Sequence, residues 1–221
     1  MKLKRIILAI WAISILSLML LTGGLAQDAA PVAVVEKFQN ELLSAMKAAE
    51  RLRFRGRYKR LAPAVRESHD LPAITQIALG PYWNELSDTQ AAKLVDTFTM
   101  LSIATYADRF DGYSGETFGT QSSEKLSPDV AAVHSVLTQS DGEEIRFDYL
   151  LRRDEDRWRI VNIVVDGVSD LALKRAEYSE ILANEGFDAL LARIKEKITE
   201  SSESTDSTNI DYSRRPKWRN A

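Results

Sequence analysis

Along this chain the spacing of apolar residues changes from the three-and-four step of helices to the two-step of strands and back again. From Pro31 the positions Val35, Phe38, Leu42, Ala45, Met46 and Ala49 share one helical face, which must pack against something. Asp70 ahead of Leu71-Pro72 marks a further helix start, and Leu79-Gly80-Pro81 marks its stop. Ser87 with Gln90 three positions on reads as the capping box of the next helix, and Tyr82 and Trp83 at the corner between the two read as core. That next helix, residues 88–110, carries two apolar stripes: Leu94, Phe98, Leu101 and Thr105 on one, Val95, Ser102, Tyr106 and Phe110 on the other. A helix apolar on more than one side is buried between layers or borders a cavity.

Asp111-Gly112-Tyr113-Ser114-Gly115 then breaks the helix, and four strand candidates follow over residues 116–121, 130–139, 145–152 and 158–166. Ser140-Asp141-Gly142-Glu143 and Asp154-Glu155-Asp156 sit where hairpin turns belong, so the sheet is antiparallel. In the third strand Ile145, Phe147, Tyr149 and Leu151 make one wide, aromatic face. The fourth is apolar on both faces, with Val161, Ile163 and Val165 on one and Trp158, Ile160 and Val164 on the other, so both sides want cover. Asp166-Gly167 is its turn, with Asp166 a turn residue and Asp170 a cap for the helix that opens at Val168-Ser169-Asp170. A loose stripe of Leu171, Tyr178, Ile181 and Leu182 and a cleaner one of Phe187, Leu190, Leu191, Ile194 and Ile198 complete two closing helices separated at Gly186. The fold class is therefore α+β: helices against a four- to five-stranded antiparallel sheet.

Composition trims this picture at both ends. Lys2, Lys4 and Arg5, the apolar run from Ile6 to Leu21 and the small residues Gly24-Leu25-Ala26 read as a cleaved signal, residues 1–26, which points to export into the periplasm. From Thr199 serine, threonine and charge take over without periodicity, so residues 199–221 read as a disordered tail and 27–198 as the domain. The formal charge of −3 becomes −6 without the leader, which argues against a nucleic-acid partner. The run Arg51-Leu52-Arg53-Phe54-Arg55-Gly56-Arg57-Tyr58-Lys59-Arg60 stands out from that acidic background; it reads as a solvated face, with a helix break at Gly56 and with anionic headgroups or an acidic partner as its functional reading.

Candidate chemistry is sparse. With no cysteine and only His69 and His134, neither disulfides nor a thiolate or histidine metal site is on offer, and no cofactor is expected. His134, at alternate spacing with Ala132 and Val136, reads as structural. No phosphate-cradling glycine loop, nucleophile elbow or dinucleotide fingerprint occurs. The chain is not expected to be an enzyme.

Leu79, Gly80, Trp83, Leu86, Ser87 and Gln90 in one block, Phe98, Tyr106 and Phe110 in the next, and Trp158, Ile160, Gly167, Val168 and Ser169 in the last stand in an order that resembles the MlaC family of periplasmic lipid carriers, also called the toluene-tolerance auxiliary family. The likeness covers residues 32–198, and the stretch from Val165 to Tyr178 resembles the hopanoid-associated HpnM branch. Asn162 stands where aspartate is common in the family, and the serine-rich tail lies outside the shared pattern. The resemblance implies an NTF2-like cone, helices on a curved sheet around an internal hydrophobic cleft that holds the tails of a phospholipid or hopanoid. It also implies a monomeric shuttle between an inner-membrane ABC-type transporter complex and an outer-membrane acceptor.

The residues suit that task. Hiding a tail from water calls for a pocket toward the upper end of the roughly 300 to 1,000 Å³ usual for ligand sites, without unpaired polar atoms. Phe98, Leu101, Tyr106 and Phe110 on the long helix, Phe147 and Tyr149 on the third strand, and Ile163, Val165 and Val168 at the fourth are the expected lipid-binding lining. Two other readings stand beside it: an adaptor with a solid core, and a small cleft enzyme using His134 or Asp148.

Overall fold

The structure, a computed structural model, describes residues 23–206; most of the predicted leader and the tail beyond 206 lie outside the described residues. Four helices come first, α1 (Gly23–Lys47), α2 (Ala49–Ser68), α3 (Leu71–Leu79) and α4 (Asp88–Arg109), with a 3₁₀ turn (Gly80–Glu85) between the last two. The strands β1 (Thr117–Ser127), β2 (Val130–Thr138), β3 (Glu144–Asp154), β4 (Arg157–Val165) and β5 (Val168–Ser169) follow, and α5 (Asp170–Asn184) and α6 (Phe187–Asp206) end the fold. The sheet is an antiparallel meander in the order β1-β2-β3-β4-β5. Helices cover its inner face, and α4 packs against both α2 and α6.

Local chemistry fixes the joints. Asp70 caps α3 by accepting from the Ala73 amide at 3.1 Å, while its own amide donates to the Ile160 carbonyl at 2.9 Å and Arg152 pairs with its carboxylate at 3.0 Å. The α2–α3 elbow is thereby tied to β4. Ser87 and Gln90 close a reciprocal capping box on α4. Asp166 (φ 49°) and Gly167 (φ 86°) make a two-residue left-handed turn between β4 and β5, the conformation that hairpin twist favours. The cap of α5 is Ser169, whose hydroxyl accepts from the Ala172 amide; Asp170 instead pairs with Lys174.

The fourth strand is not apolar on two faces. Leu151 pairs with Ile160 and Leu150 with Asn162, which leaves Val161 as an extra residue, a β-bulge. The bulge resets the alternation, so Trp158 and Ile160 before it and Ile163 and Val165 after it all face inward. Their inward neighbours on β3 include Leu151, Tyr149 and Phe147. One continuous apolar surface results, bent at Val161.

Three further expectations change. The chain bends at Arg53 (φ 52°), not at Gly56, which sits inside α2 where an added Cβ would lie 2.9 Å from that of Leu52. The basic run is not wholly solvated: Arg57 is 2 % exposed, its Nε donating to the Ala107 carbonyl at 2.8 Å near the negative end of the α4 dipole. The last helix continues to Asp206, past the tail boundary at residue 199, with the Thr199 and Ser201 hydroxyls donating back to the carbonyls of Lys195 and Lys197. At the aromatic corner, Trp83 packs on the core while half-buried, and Tyr82 is also half-buried.

Candidate functional site

Between the inner face of the sheet and helices α1, α3, α4 and α5 lies a cavity of about 280 Å³. Its floor is aromatic. Phe147 and Tyr149 stack at 6.1 Å, Phe118 meets Phe147 edge-on at 5.7 Å, and Phe38 meets Tyr106 edge-on at 5.0 Å. The cavity reaches solvent at Val168 and Leu173, 45 % and 52 % exposed, where large apolar side chains are otherwise costly to leave in water.

Eight of the nine expected lining residues border this space: Phe98, Tyr106, Phe110, Phe147, Tyr149, Ile163, Val165 and Val168. Leu101 does not. It lies roughly 60° round α4 from Phe98 and is buried in the solid core, whereas Ser102, Thr105 and Arg109 share the cavity-facing side of the helix. The lining of α4 therefore draws on both stripes, Phe98 and Thr105 from one and Ser102, Tyr106 and Phe110 from the other, while Leu94 and Leu101 pack. The volume falls at the lower end of the range for ligand sites rather than the upper end expected, because rings from α1, α4 and β3 all point into the same space.

Sequence reasoning passed over three polar features of the wall. The first is His69, 5 % exposed, between Ser68 Oγ at 2.8 Å and Tyr106 Oη at 2.9 Å. The Ser68 hydroxyl donates to the Ala64 carbonyl at 2.7 Å, so its oxygen accepts from His69 Nδ1–H, and His69 Nε2 accepts from Tyr106. Burial holds the His69 pKa down to about 4 and the Tyr106 phenol well above its ordinary value. Both rings are neutral at pH 7. Its neighbour Asp70 is the strong helix-start signal, and a residue beside a buried cap was the available hint.

The second is Gln39, buried on α1, whose amide nitrogen donates to Ser135 Oγ at 2.7 Å and Tyr149 Oη at 3.2 Å, satisfying the polar atoms behind the aromatic floor. Gln39→Leu should cost about 1 to 3 kcal/mol, since it strands the Ser135 and Tyr149 hydroxyls; urea unfolding of the variant measures it. Adding Ser135→Ala in the same chain should return part of that loss.

The third is the charged rim. Lys174 and Asp170 pair beside Arg109 and Asp166 at the cavity edge. Burial pushes the Asp170 carboxyl up, but Lys174, Arg109 and Lys197 together outweigh it and leave it below its usual value. Burial draws the Lys174 ammonium down against the opposing pull of Asp170. Arg109, Asp166, Asp170 and Lys174 are the charged members of a lining that is otherwise mainly aromatic and aliphatic.

His134 and Asp148, the residues of the enzyme reading, hydrogen-bond to each other at 2.7 Å across β2 and β3. They alternate with the inward-facing Val133, Ser135, Phe147 and Tyr149, so they lie on the outer face, away from the cavity. Among the described residues there is no cluster of three or more His, Asp or Glu side chains able to hold a metal ion.

An open antiparallel sheet closed by helices around a mainly apolar cavity defines an α+β domain with an internal binding space. The chain belongs to the MlaC family, whose model, described as MlaC protein, matches residues 36–196. The fold is similar to that of a solved phospholipid-binding protein from Ralstonia solanacearum in complex with a phospholipid. That match has a TM-score of 0.69 at 19 % identity and covers 77 % of this chain and 97 % of the other. No curated protein matches the sequence.

Proposed function

We propose that this protein is a periplasmic lipid carrier that takes a hydrocarbon tail into the cavity beneath its sheet and passes it between membrane complexes. The observation that carries the reading is the largely aromatic and aliphatic wall with an exposed apolar lip at Val168 and Leu173. The space of about 280 Å³ corresponds to roughly nine water-sized groups of about 30 Å³, a stretch of one tail rather than two whole chains. At about 0.8 kcal/mol per methylene those groups gain roughly 7 kcal/mol against water. A bilayer offers nearly the same, so exchange between membrane and protein is close to neutral while escape into water is not. The rest of the lipid lies along the lip, its headgroup near the charged rim.

The family supports carriage between an inner-membrane transporter complex and an outer-membrane acceptor, with a phospholipid as cargo by analogy with the Ralstonia protein. The hopanoid-associated resemblance of residues 165–178 adds a polycyclic lipid as the second cargo to test. Organic extraction of the protein isolated from its own cells, followed by mass spectrometry, should recover about one lipid per chain. A folded protein with no lipid, isolated under conditions that keep membranes intact, would leave the adaptor reading in its place.

A further inference from the structure

The basic run of α2 takes no part in the cavity. Of its six cations Arg57 is buried and Arg60 pairs with Glu41 at 3.6 Å and Ser44 at 2.7 Å. Past the bend at Arg53, the helix carries Arg55, Lys59 and Arg66 along one ridge, since steps of four and seven residues return to the same side. All three are exposed, and none has an acidic partner among the described residues. The ridge is about 16 Å long at 1.5 Å a residue.

We infer that this ridge docks the protein reversibly on an anionic membrane surface, a role beyond the cargo reading and independent of it. Two observations support a membrane as the partner, the first of them against an acidic protein. First, none of the large exposed apolar side chains lies on α2, whereas a protein interface is built round an apolar or aromatic centre. Cations alone on a straight ridge match a flat array of phosphates, which asks for charge and no insertion. Second, the chain as a whole is acidic, net −3, so attraction to such a surface has to come from a local group of cations, and this ridge supplies one. Contact through three side chains is weak enough to be left again, which suits a molecule that must also travel.

Each basic residue near an anionic bilayer contributes about 5-fold in partitioning, so the three give roughly 100-fold at low ionic strength. The test is co-sedimentation of the chain as isolated from its cells with vesicles of phosphatidylcholine containing about one-third phosphatidylglycerol, against vesicles of phosphatidylcholine alone. The expected result is binding to the anionic vesicles only, stronger at about 50 mM than at about 300 mM salt. The triple variant Arg55→Gln, Lys59→Gln, Arg66→Gln should lose roughly 100-fold in partitioning while its circular dichroism and extractable lipid stay unchanged. Equal partitioning of wild type and variant overturns the inference. So does wild-type binding to polyglutamate without binding to anionic vesicles, which would assign the ridge to an acidic protein. Loss of extractable lipid from both proteins would count against the carrier reading and leave this one standing.

Discussion

Protein carrying Phe147→Glu is expected to be isolated without lipid. Phe147 is 6 % exposed, stacks on Tyr149 and forms part of the cavity floor. A carboxylate there would be buried between the rings of Phe118 and Tyr149. It must either draw water into the cavity or take up a proton at a raised pKa, and each route removes the apolar surface a tail needs. Losing the ring also costs about 3 kcal/mol of packing, so a lower melting temperature accompanies the loss.

Ser102→Trp separates emptiness from damage. Ser102 is half-buried on the lining side of α4, and its hydroxyl only back-bonds to the Phe98 carbonyl at 2.9 Å, a bond the helix can spare. An indole at that position fills much of the space of about 280 Å³ without introducing charge. The expected variant folds with wild-type far-ultraviolet dichroism and a cooperative urea transition, and carries less than a tenth of the extractable lipid, a difference of about 1.4 kcal/mol or more. If both variants fold and both still bring one lipid per chain through purification, the tail is held somewhere else.

Much of this site could be read from residue spacing because its wall is made by regular elements. The period-two face of β3 put Phe147 and Tyr149 together, and helical spacing put Tyr106 and Phe110 on one stripe of α4. What spacing could not show is where regularity breaks. The Val161 bulge shifts β4 by one residue, so a strand that looks apolar on both faces is apolar on one. The bend at Arg53 is likewise invisible in a run whose only glycine, Gly56, stays helical, with Leu52 close where a Cβ would stand. Leu101 was placed on the lining by a three-residue step that in fact turns it into the core. The buried polar chain of Ser68, His69 and Tyr106 joins residues 38 positions apart, and only the tertiary fold brings them within reach. The end of α6 eluded composition because serine and threonine, though poor helix formers, are tolerated in a helix when their hydroxyls bond back to the preceding turn, as Thr199 and Ser201 do.

Acid should loosen the cavity wall through His69. Its pKa is about 4 in the fold against 6.5 in an open chain, because burial disfavours the imidazolium more than a backbone hydrogen bond at Val65 favours it. Between those two values the unfolded chain binds more protons than the folded one. The stability this neutral ring allows is therefore complete above about pH 6.5, falls as pH drops, and is gone by about pH 4. The shift amounts to about 3 kcal/mol over that window. His69→Gln keeps an acceptor for Tyr106 but cannot titrate. It should start about 1 kcal/mol less stable than wild type at pH 7.5 and close or reverse the gap at pH 4.5, as measured by urea unfolding at both pH values. His134 acts with the opposite sign, since its hydrogen bond with Asp148 raises its pKa and any support it lends is present in acid and lost as pH rises. It is a third exposed and well screened, so His134→Gln should leave the acid-side loss intact. If His69→Gln tracks the wild type in parallel across the whole range, the acid sensitivity comes from the carboxylates and the buried histidine carries none of it.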